Sequence, residues 1–420
     1  MAGLTDGDHV SGPYGPDLAQ SVDVAFALAA AGGQSAALGQ VLAYLQANAG
    51  TYVHGDPAKG EKLGAQYSGP TAKLALLAQA TGNDPSSFGG LDLLAELRAL
   101  MATSGPTSGR FVDNSAFGDF ANPLGQAFAV LALQRSTSAG APQAALDALT
   151  SAQCADGGFP ATFDAKPCVS NTDATSLAIQ ALVAGGADCP ATRALAWLQS
   201  QQGATGAFDA ASTDGAATPS IATTAYAALA LTATGRSTTS ALAYLVSVQN
   251  PDGGLPATPA SSITSTELPT AQALLALAGS SFLTLGPHPL AAHAPVCVAA
   301  TTTSAAARPA TPARSGQAGH RSAASLTMGE SSPSPSTTLA AAAGDTRTRV
   351  PTSSTTSAPP GDVIVFGTAA SAAPAQAAPS GPLAYTGADL LTPVASGFVL
   401  LLTGLTLLFA SRRRRRGRHA

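Results

Sequence analysis

Two classes of apolar segment alternate along residues 1–285. The first class is amphipathic, because apolar residues recur at helical spacing while polar residues occupy the opposite face. Its members are Val41–Leu45, Leu93–Leu97, Ala145–Leu149, Ala194–Leu198 and Ala241–Leu245, and their starts lie 52, 52, 49 and 47 residues apart. The second class is rich in Ala, Leu, Ser and Thr nearly all round. Its members are Val22–Ala31, Pro70–Ala80, Pro123–Gln134, Thr172–Ala184, Ile221–Thr234 and Leu268–Ala278.

Both classes predict helices rather than strands, since the segments are long and Ala/Leu-rich instead of β-branched and alternating. Several begin at Ser, Thr, Asn or Asp and end at Gly, as helix caps require. A helix that is apolar all round is buried. The sequence therefore predicts an all-α domain with two concentric layers, six buried helices inside and five outer ones. A twelfth helix, which closure of the ring calls for, is missing from the pattern.

A short polar motif follows two of the outer segments. Gln153 precedes Asp156-Gly157-Gly158 by three residues, and Gln249 precedes Asp252-Gly253-Gly254 in the same way. These repeats resemble those of squalene cyclases and protein prenyltransferase β subunits, which form a six-repeat α-α toroid that transcobalamin and intrinsic factor share. The resemblance covers roughly residues 1–285. We interpret the Asp-Gly-Gly motif as a tight turn, with Gly in the left-handed region, rather than as a catalytic loop.

This chain lacks the residues that carry out the reactions of those families. No Asp-any-Asp-Asp acid motif is present, and no Cys-Gly-Glu-Gln thioester string. His9, His54 and His288 are not near a Cys at a zinc-ligand spacing, so no metal site is predicted. An enzyme of the terpene cyclase superfamily with a non-standard active site remains an alternative, but the residues favour a binding role.

Polar residues stand at the starts of the buried helices, and in a toroid these ends converge on one face. We interpret them either as plain N-caps or as a polar mouth that binds a ligand. The candidates for this mouth are Asp23, Asn122, Asn171, Asp173, Thr223 and Glu267. Carbohydrate and peptide ligands both stay open. No cofactor is predicted, and nothing among the residues supports a corrinoid ligand.

Four cysteines weakly favour an oxidising compartment. Cys154 and Cys168 flank one loop and can meet without moving a helix. Cys168 and Cys189 bracket a helix of about 20 Å and cannot pair. Cys189 with Cys297 is the remaining option.

Charge divides the chain more sharply than the net charge of −4 indicates. Residues 1–289 carry 9 Lys and Arg against 20 Asp and Glu, whereas the remainder carries 11 against 4. An acidic domain excludes nucleic acid as a partner, since phosphates require Lys and Arg. Residues 286–380 are rich in Ala, Ser, Thr and Pro and predict a disordered, wall-spanning linker.

The C-terminus combines three features in a fixed order within residues 381–420. The pentapeptide Leu383-Ala384-Tyr385-Thr386-Gly387 comes first. An uncharged apolar stretch at 390–410 follows, long enough to span a bilayer, and then an Arg-rich tail at 411–420. The arrangement resembles a Gram-positive sorting signal of the Leu-Pro-any-Thr-Gly type. Ala384 replaces the Pro, as in the Leu-Ala-any-Thr-Gly variant read by actinobacterial sortases.

The resemblance implies cleavage between Thr386 and Gly387 and transfer of Thr386 to peptidoglycan by a sortase, with the membrane holding the chain during sorting. The sequence thus predicts a cell-surface protein anchored to the wall that displays a toroid with an unknown ligand. A purely structural surface component is a further alternative. The first residues of the given sequence do not form the basic, apolar and small-residue pattern of a secretion signal, so we expect that the true start lies upstream of Met1.

Overall fold

The computed structural model describes residues 3–13, 15–136, 140–210, 218–259 and 264–298. They belong to one folded unit. The predicted sorting pentapeptide, the apolar stretch at 390–410 and the Arg-rich tail lie outside these residues. Within the described ranges, no helix combines the length and the apolar character needed to cross a bilayer.

The described residues form twelve α-helices, in two classes that match the two classes of segment. The buried helices are α1 (Leu18–Ala31), α4 (Ser68–Ala80), α6 (Pro123–Gln134), α8 (Thr172–Ala184), α10 (Ile221–Ala233) and α12 (Glu267–Leu277). The outer helices are α2 (Ser35–Ala47), α3 (Ala49–His54), α5 (Leu93–Ala99), α7 (Gln143–Ser151), α9 (Asp188–Ser200) and α11 (Thr239–Ser247).

The six buried helices form a closed ring. Each packs against the next in chain order, and α12 packs directly against α1. The outer helices pack on this ring, with α2 on α1, α5 on α4, α7 on α6, α9 on α8 and α11 on α10. The expectation that closure requires a further outer helix is therefore wrong, because the contact between α12 and α1 closes the ring by itself.

Small side chains explain why the buried helices pack so closely. Every residue of α6 except Gln134 is buried, and so is every residue of α8 except Ala184. Outer helices bury one stripe only, such as Ala191, Ala194 and Leu198 of α9. This difference follows from composition, since a helix that is apolar all round is stable only when it is covered all round.

Four short hairpins lead into buried helices, so the fold is not purely helical as predicted. They pair β1 (Val10–Gly12) with β2 (Gly15–Asp17), β3 (Phe159–Pro160) with β4 (Ser170–Asn171), β5 (Phe208–Ala210) with β6 (Thr218–Ser220), and β7 (Leu255–Pro256) with β8 (Ser265–Thr266). All four are antiparallel. Strands of two or three residues are too short to show an alternating pattern, which is why the sequence did not reveal them.

The Asp-Gly-Gly motifs form the turns between outer helices and hairpins. Asp156 Oδ1 accepts hydrogen bonds from the Gly158 N–H at 3.1 Å and from the Ser170 hydroxyl at 2.7 Å. The Gln153 side-chain amide donates to the Gly157 carbonyl at 2.8 Å. Gly157 has φ of +99°, a value that favours glycine. The polar side chains of the motif thus have structural partners in the turn, and Gln153 also bonds to Pro190 and Arg193 of α9.

The second motif has the same geometry. Asp252 Oδ1 accepts from the Gly254 N–H at 2.9 Å and from the Ser265 hydroxyl at 2.6 Å, and Gly253 has φ of +86°. The two motifs are therefore equivalent parts of two repeats.

Two disulfides cross-link the unit, Cys154–Cys168 and Cys189–Cys297. All four cysteines of the chain are paired in this way. The second bond ties the end of the described chain to the start of α9. Residues 286–298, which the sequence assigned to the linker, are thus held to the ring through Cys297.

Candidate functional site

Buried polar side chains line the inside of the ring at one level. The sixth residue of each buried helix contributes to this level, and contacts join several of these residues across neighbouring helices, namely Asp23 with Lys73, Lys73 with Phe128, and Tyr226 with Gln272. The six residues are Asp23, Lys73, Phe128, Leu177, Tyr226 and Gln272, and we call them the polar layer. The polar layer contains two charged and two neutral polar groups.

The two charges of this layer neutralise each other. Lys73 Nζ lies 2.8 Å from Asp23 Oδ1, and only 1% of the lysine side chain is exposed. Burial raises the pKa of Asp23, while the ammonium group of Lys73 opposes the shift. Lys73 Nζ also lies 5.9 Å from the centroid of the Phe128 ring, within range of a cation–π contact. The lysine is therefore fully engaged within the ring.

Asp173 is a second buried carboxylate, and it has no such cation. It is the second residue of α8 and is 2% exposed. Its Oδ1 atom makes no hydrogen bond within the described residues. Burial raises the pKa of Asp173 to about 6, an effect that neighbouring Thr223 partly opposes. At neutral pH the carboxylate is therefore ionised in an environment that disfavours its charge.

Three further buried oxygens without a well-formed hydrogen bond lie on α10, which packs against α8, and at α12, the next helix of the ring. They are Thr223 Oγ1 on α10, Thr266 Oγ1 immediately before α12, and Gln272 Oε1 on α12. We call Asp173, Thr223, Thr266 and Gln272 the acceptor cluster.

Tyr226 connects the two sides of this cluster. The Gln272 side-chain amide lies 3.4 Å from the Tyr226 hydroxyl. Burial raises the pKa of Tyr226 most, and the negative charges of Asp23 and then Asp173 add to this shift. Since α8, α10 and α12 are consecutive in the ring, the acceptor cluster occupies one continuous half of it.

The other half of the ring satisfies most of its polar groups internally. Besides the ion pair of Asp23 and Lys73, the Asn122 side chain caps α6 by accepting from the Gly125 N–H at 3.0 Å. The Ser68 hydroxyl at the start of α4 donates to Asp113 at 2.7 Å. Unpartnered atoms also occur elsewhere among the described residues, at Tyr52, Gln79, Arg135 and Tyr244, but the α8–α10–α12 half holds four of the eight on or next to its buried helices.

The opposite end of the ring interior is filled by the chain itself. After α12, residues 281–285 enter the ring, and we call this segment the plug. The Phe282 ring lies 5.2 Å from the rings of both Phe26 and Phe128 in edge-to-face geometry. Its backbone N–H donates to Gln180 Oε1 at 2.9 Å. Phe282 therefore occupies the axis of the ring below the polar layer.

Arg135, which directly follows α6, fixes the plug from outside. Its guanidinium group donates to the carbonyls of Phe282 at 3.0 Å, Leu283 at 3.2 Å and Leu285 at 2.6 Å. Burial lowers the pKa of Arg135 to about 10, so it stays charged at neutral pH. A ligand would therefore have to reach the polar layer from the end where the buried helices begin.

The residues predicted to form the mouth thus divide into four groups. Asn122 and Asn171 are N-caps, and Asn171 accepts from the Ala174 N–H at 2.8 Å. Asp23 belongs to a buried ion pair, and Glu267 is the partly exposed first residue of α12. Only Asp173 and Thr223 of the predicted set belong to the acceptor cluster.

Sequence reasoning missed Lys73, Gln272 and the plug. Lys73 gives a readable signal, because a single charge stands in the apolar run Ala72–Ala80. Gln272 is a similar polar interruption. Phe282 carries no signal, since it lies in a Pro-rich stretch that predicts irregular structure. Within the described residues, no group of three or more His, Cys, Asp or Glu side chains could hold a metal ion.

Comparison with known proteins gives structural neighbours only. No family model and no curated protein matches the chain. The type II terpene cyclase MstE from Scytonema is 18% identical over 66% of this chain and 93% of its own, with a TM-score of 0.48. A protein from Actinoplanes is 16% identical over 66% of this chain and 93% of its own, with a TM-score of 0.46.

Candida albicans protein geranylgeranyltransferase-I is 14% identical over 61% of this chain and 83% of its own, with a TM-score of 0.43. The structural neighbours thus include terpene cyclase and prenyltransferase-like folds.

Proposed function

We propose that this chain is a cell-surface protein that a sortase links covalently to peptidoglycan, and that its ring binds a ligand at the acceptor cluster. The observation that carries the first part is the order of the pentapeptide 383–387, the apolar stretch 390–410 and the Arg-rich tail. Each feature is common by itself, but a sortase requires all three in this order near a C-terminus. Cleavage would leave Thr386 as the last residue, joined to an amine of the wall.

The cysteines support export. Both disulfides lie in the ring, and no cysteine of the chain is left free. Disulfides of this kind persist in oxidising compartments and are rare in a reducing cytosol. An acidic ring on a linker rich in Ser, Thr and Pro fits display outside the membrane.

The acceptor cluster supports the binding part of the proposal. Buried polar atoms nearly always have partners, and each one without a partner costs about 1–3 kcal/mol. Four such oxygens on or next to three consecutive helices are therefore expensive, and they are half of the eight unpartnered buried side-chain atoms among the described residues. A ligand that donates hydrogen bonds to them would recover this free energy.

The anchoring is tested by cell fractionation of the full chain in its native host. We expect the unchanged protein in the fraction that wall-digesting enzymes release. Thr386→Ala should move it to the detergent-extracted membrane fraction, because the sortase would no longer recognise the pentapeptide whose residue-386 carbonyl it attacks. Thr392→Ala, the same change within the apolar stretch, is the matched control and should leave the protein in the wall. If detergent alone extracted all of the protein that carries no substitution, the proposed covalent anchoring would be rejected.

The binding part has a separate test. Native mass spectrometry of the full chain purified from its host, compared with the mass under denaturing conditions, should reveal a retained small molecule. Equal masses, with no added species in the native spectrum, would argue against a bound ligand.

A further inference from the structure

The acceptor cluster also limits the chemistry of its ligand, and this step rests on the binding role proposed above. Two of its atoms, Asp173 Oδ1 and Gln272 Oε1, can only accept hydrogen bonds when the carboxylate is ionised. The hydroxyls of Thr223 and Thr266 can accept or donate. The missing partner must therefore be a donor.

Charge restricts the partner further. Four charged side chains are buried in the described part of the ring, Asp23, Lys73, Asp173 and Arg135. Asp23 and Lys73 form an ion pair at 2.8 Å, and Arg135 binds the carbonyls of the plug at the opposite end. Asp173 has the Thr223 side chain beside it but no cation, and a buried carboxylate without a cation costs several kcal/mol. The surroundings of Asp173 therefore lack one positive charge.

Glu61, another buried carboxylate of the unit, shows how the chain itself supplies hydrogen-bond donors to such a group. Glu61 accepts from the Ala116 N–H at 2.8 Å, from the Ser115 hydroxyl at 2.9 Å and from the hydroxyl of Tyr67. These donors lower its pKa to about 2 despite partial burial. Asp173 differs from Glu61 in this respect, although its burial is at least as complete.

An aromatic ring completes the environment. Tyr226 is almost fully buried, and the Gln272 side-chain amide lies 3.4 Å from its hydroxyl. Burial, and after it the negative charges of Asp23 and Asp173, raise the pKa of Tyr226. A carboxylate, an amide oxygen, hydroxyls and an aromatic face together favour an ammonium group, which brings up to three donors and one positive charge. A neutral hydroxyl or amide would supply donors but leave the negative charge of Asp173 without a counter-ion. An anion would be repelled by that charge.

We infer that the acceptor cluster binds the ammonium group of a small amine ligand, with Asp173 as its counter-ion and with Gln272 and the hydroxyl of Thr223 as hydrogen-bond acceptors. The plug closes the opposite end of the ring interior. The amine therefore enters from the end at which α8, α10 and α12 begin, and the remainder of the ligand points out of that end.

The test uses the full chain in a mild nonionic detergent and three probes of the same length, n-butylammonium, butan-1-ol and butyrate. All three are small and water-soluble, and they differ in charge. The shift of the thermal unfolding midpoint is measured against probe concentration and referred to the same protein without probe. Only n-butylammonium is expected to raise the midpoint in a saturable manner.

Asp173→Asn keeps the size of the side chain and removes its charge, and it should abolish the n-butylammonium shift. Asp252→Asn removes one negative charge from an exposed turn and is the matched control, in which the shift should persist. An equal shift with butan-1-ol, an equal shift in Asp173→Asn, or no shift with n-butylammonium would each overturn the inference.

Failure here is distinguishable from failure of the proposed function. A retained molecule without an amine in native mass spectrometry would uphold a binding role and reject the ammonium. The wall anchoring is decided independently by Thr386→Ala.

Discussion

Asp173 lowers the stability of the protein at neutral pH. Its pKa is about 6 in the folded state and 3.8 is the ordinary value. The folded state holds the proton of Asp173 more tightly than the unfolded state does. Ionisation of this carboxyl therefore lowers the free energy of unfolding, with no loss below about pH 4 and an increasing loss as the pH rises to about 6. Two pKa units correspond to about 3 kcal/mol as an order of magnitude.

We therefore predict that Asp173→Asn stabilises the protein above pH 6, by up to about 3 kcal/mol, and has little effect near pH 4. Urea unfolding of both proteins across this pH range measures the difference between their free energies of unfolding. Asp23 and the other titratable groups occur in both proteins, so their contributions cancel in this difference. A constant difference at all pH values would show that the carboxylate is not the cause.

The ion pair of Lys73 and Asp23 gives a prediction of the opposite sign. Lys73→Met removes the charge but keeps most of the volume, and it leaves Asp23 buried without a cation. We expect a loss of about 3–5 kcal/mol. The double variant Lys73→Met with Asp23→Leu should be more stable than the single one, because no buried charge remains. Equal losses in the two variants would indicate a packing effect.

At this scale the sequence predicted residue types better than their roles. It placed Asp23, Asn122 and Asp173 together as helix-start polar groups. The structure separates them into an ion pair, a cap and an unpaired carboxylate. The distinction depends on neighbouring helices, since Lys73 is 50 residues from Asp23 and Thr223 is 50 residues from Asp173. Helical periodicity carries no information about such contacts.

A repeated hydrogen bond joins hairpins to buried helices at the scale of elements. The side chain of the fourth residue of a buried helix accepts a hydrogen bond from the backbone N–H of the residue that follows the turn. The Thr175 hydroxyl accepts from Phe159 at 2.8 Å, the Thr224 hydroxyl from Phe208 at 2.9 Å, and the Thr270 hydroxyl from Leu255 at 2.9 Å. In earlier repeats Ser21 accepts from Val10, and Gln126 from Phe111, both at 3.0 Å.

This bond predicts the effect of Thr224→Val, which keeps the shape of the side chain. The variant leaves the N–H of buried Phe208 without a partner, so we expect a loss of about 1–3 kcal/mol. Thr232→Val on the same helix is the control, because that hydroxyl is not part of the repeated bond. A loss in the control as large as in Thr224→Val would attribute the effect to the helix as a whole.

Helices were predictable from the sequence, and hairpins were not. The segments Pro123–Gln134 and Thr172–Ala184 have the same bounds in the structure as in the prediction. Their composition is decisive, because apolar residues on all sides leave burial as the only stable outcome. The hairpins depend on backbone pairing across a loop, as between Phe159 and Asn171, which local propensity does not encode.

Closure of the ring is a property of the whole folded unit that no single repeat contains. It depends on α12 reaching α1, whose residues lie more than 230 positions earlier. The plug then fills the axis and contacts helices from opposite sides, through Phe26 on α1 and Gln180 on α8, and it also contacts Phe128 on α6. One residue thus contacts several repeats at once. The sequence predicted the ring through its repeats, whereas the plug follows the last repeat and has no counterpart in the pattern.

The long-range disulfide holds the segment that continues from this plug. Cys189 and Cys297 are 108 residues apart, whereas Cys154 and Cys168 are 14 apart. In the chain-entropy model a disulfide stabilises the fold more when it closes a longer loop, with about 5 kcal/mol for the first and about 3 kcal/mol for the second. His293 and Pro295 add weak contacts with α9, at 3.1 Å to Asp188 and at 3.2 Å to Thr192.

We therefore predict that Cys189→Ser with Cys297→Ser destabilises the protein more than Cys154→Ser with Cys168→Ser does. The first pair should also raise amide hydrogen exchange at residues 281–297, because the plug then keeps only its contacts with Arg135, Gln180 and the ring aromatics. The second pair should leave exchange there unchanged, since its loop lies on the far side of α8. Unchanged exchange in both would mean that Arg135 and Phe282 retain the plug without the covalent link.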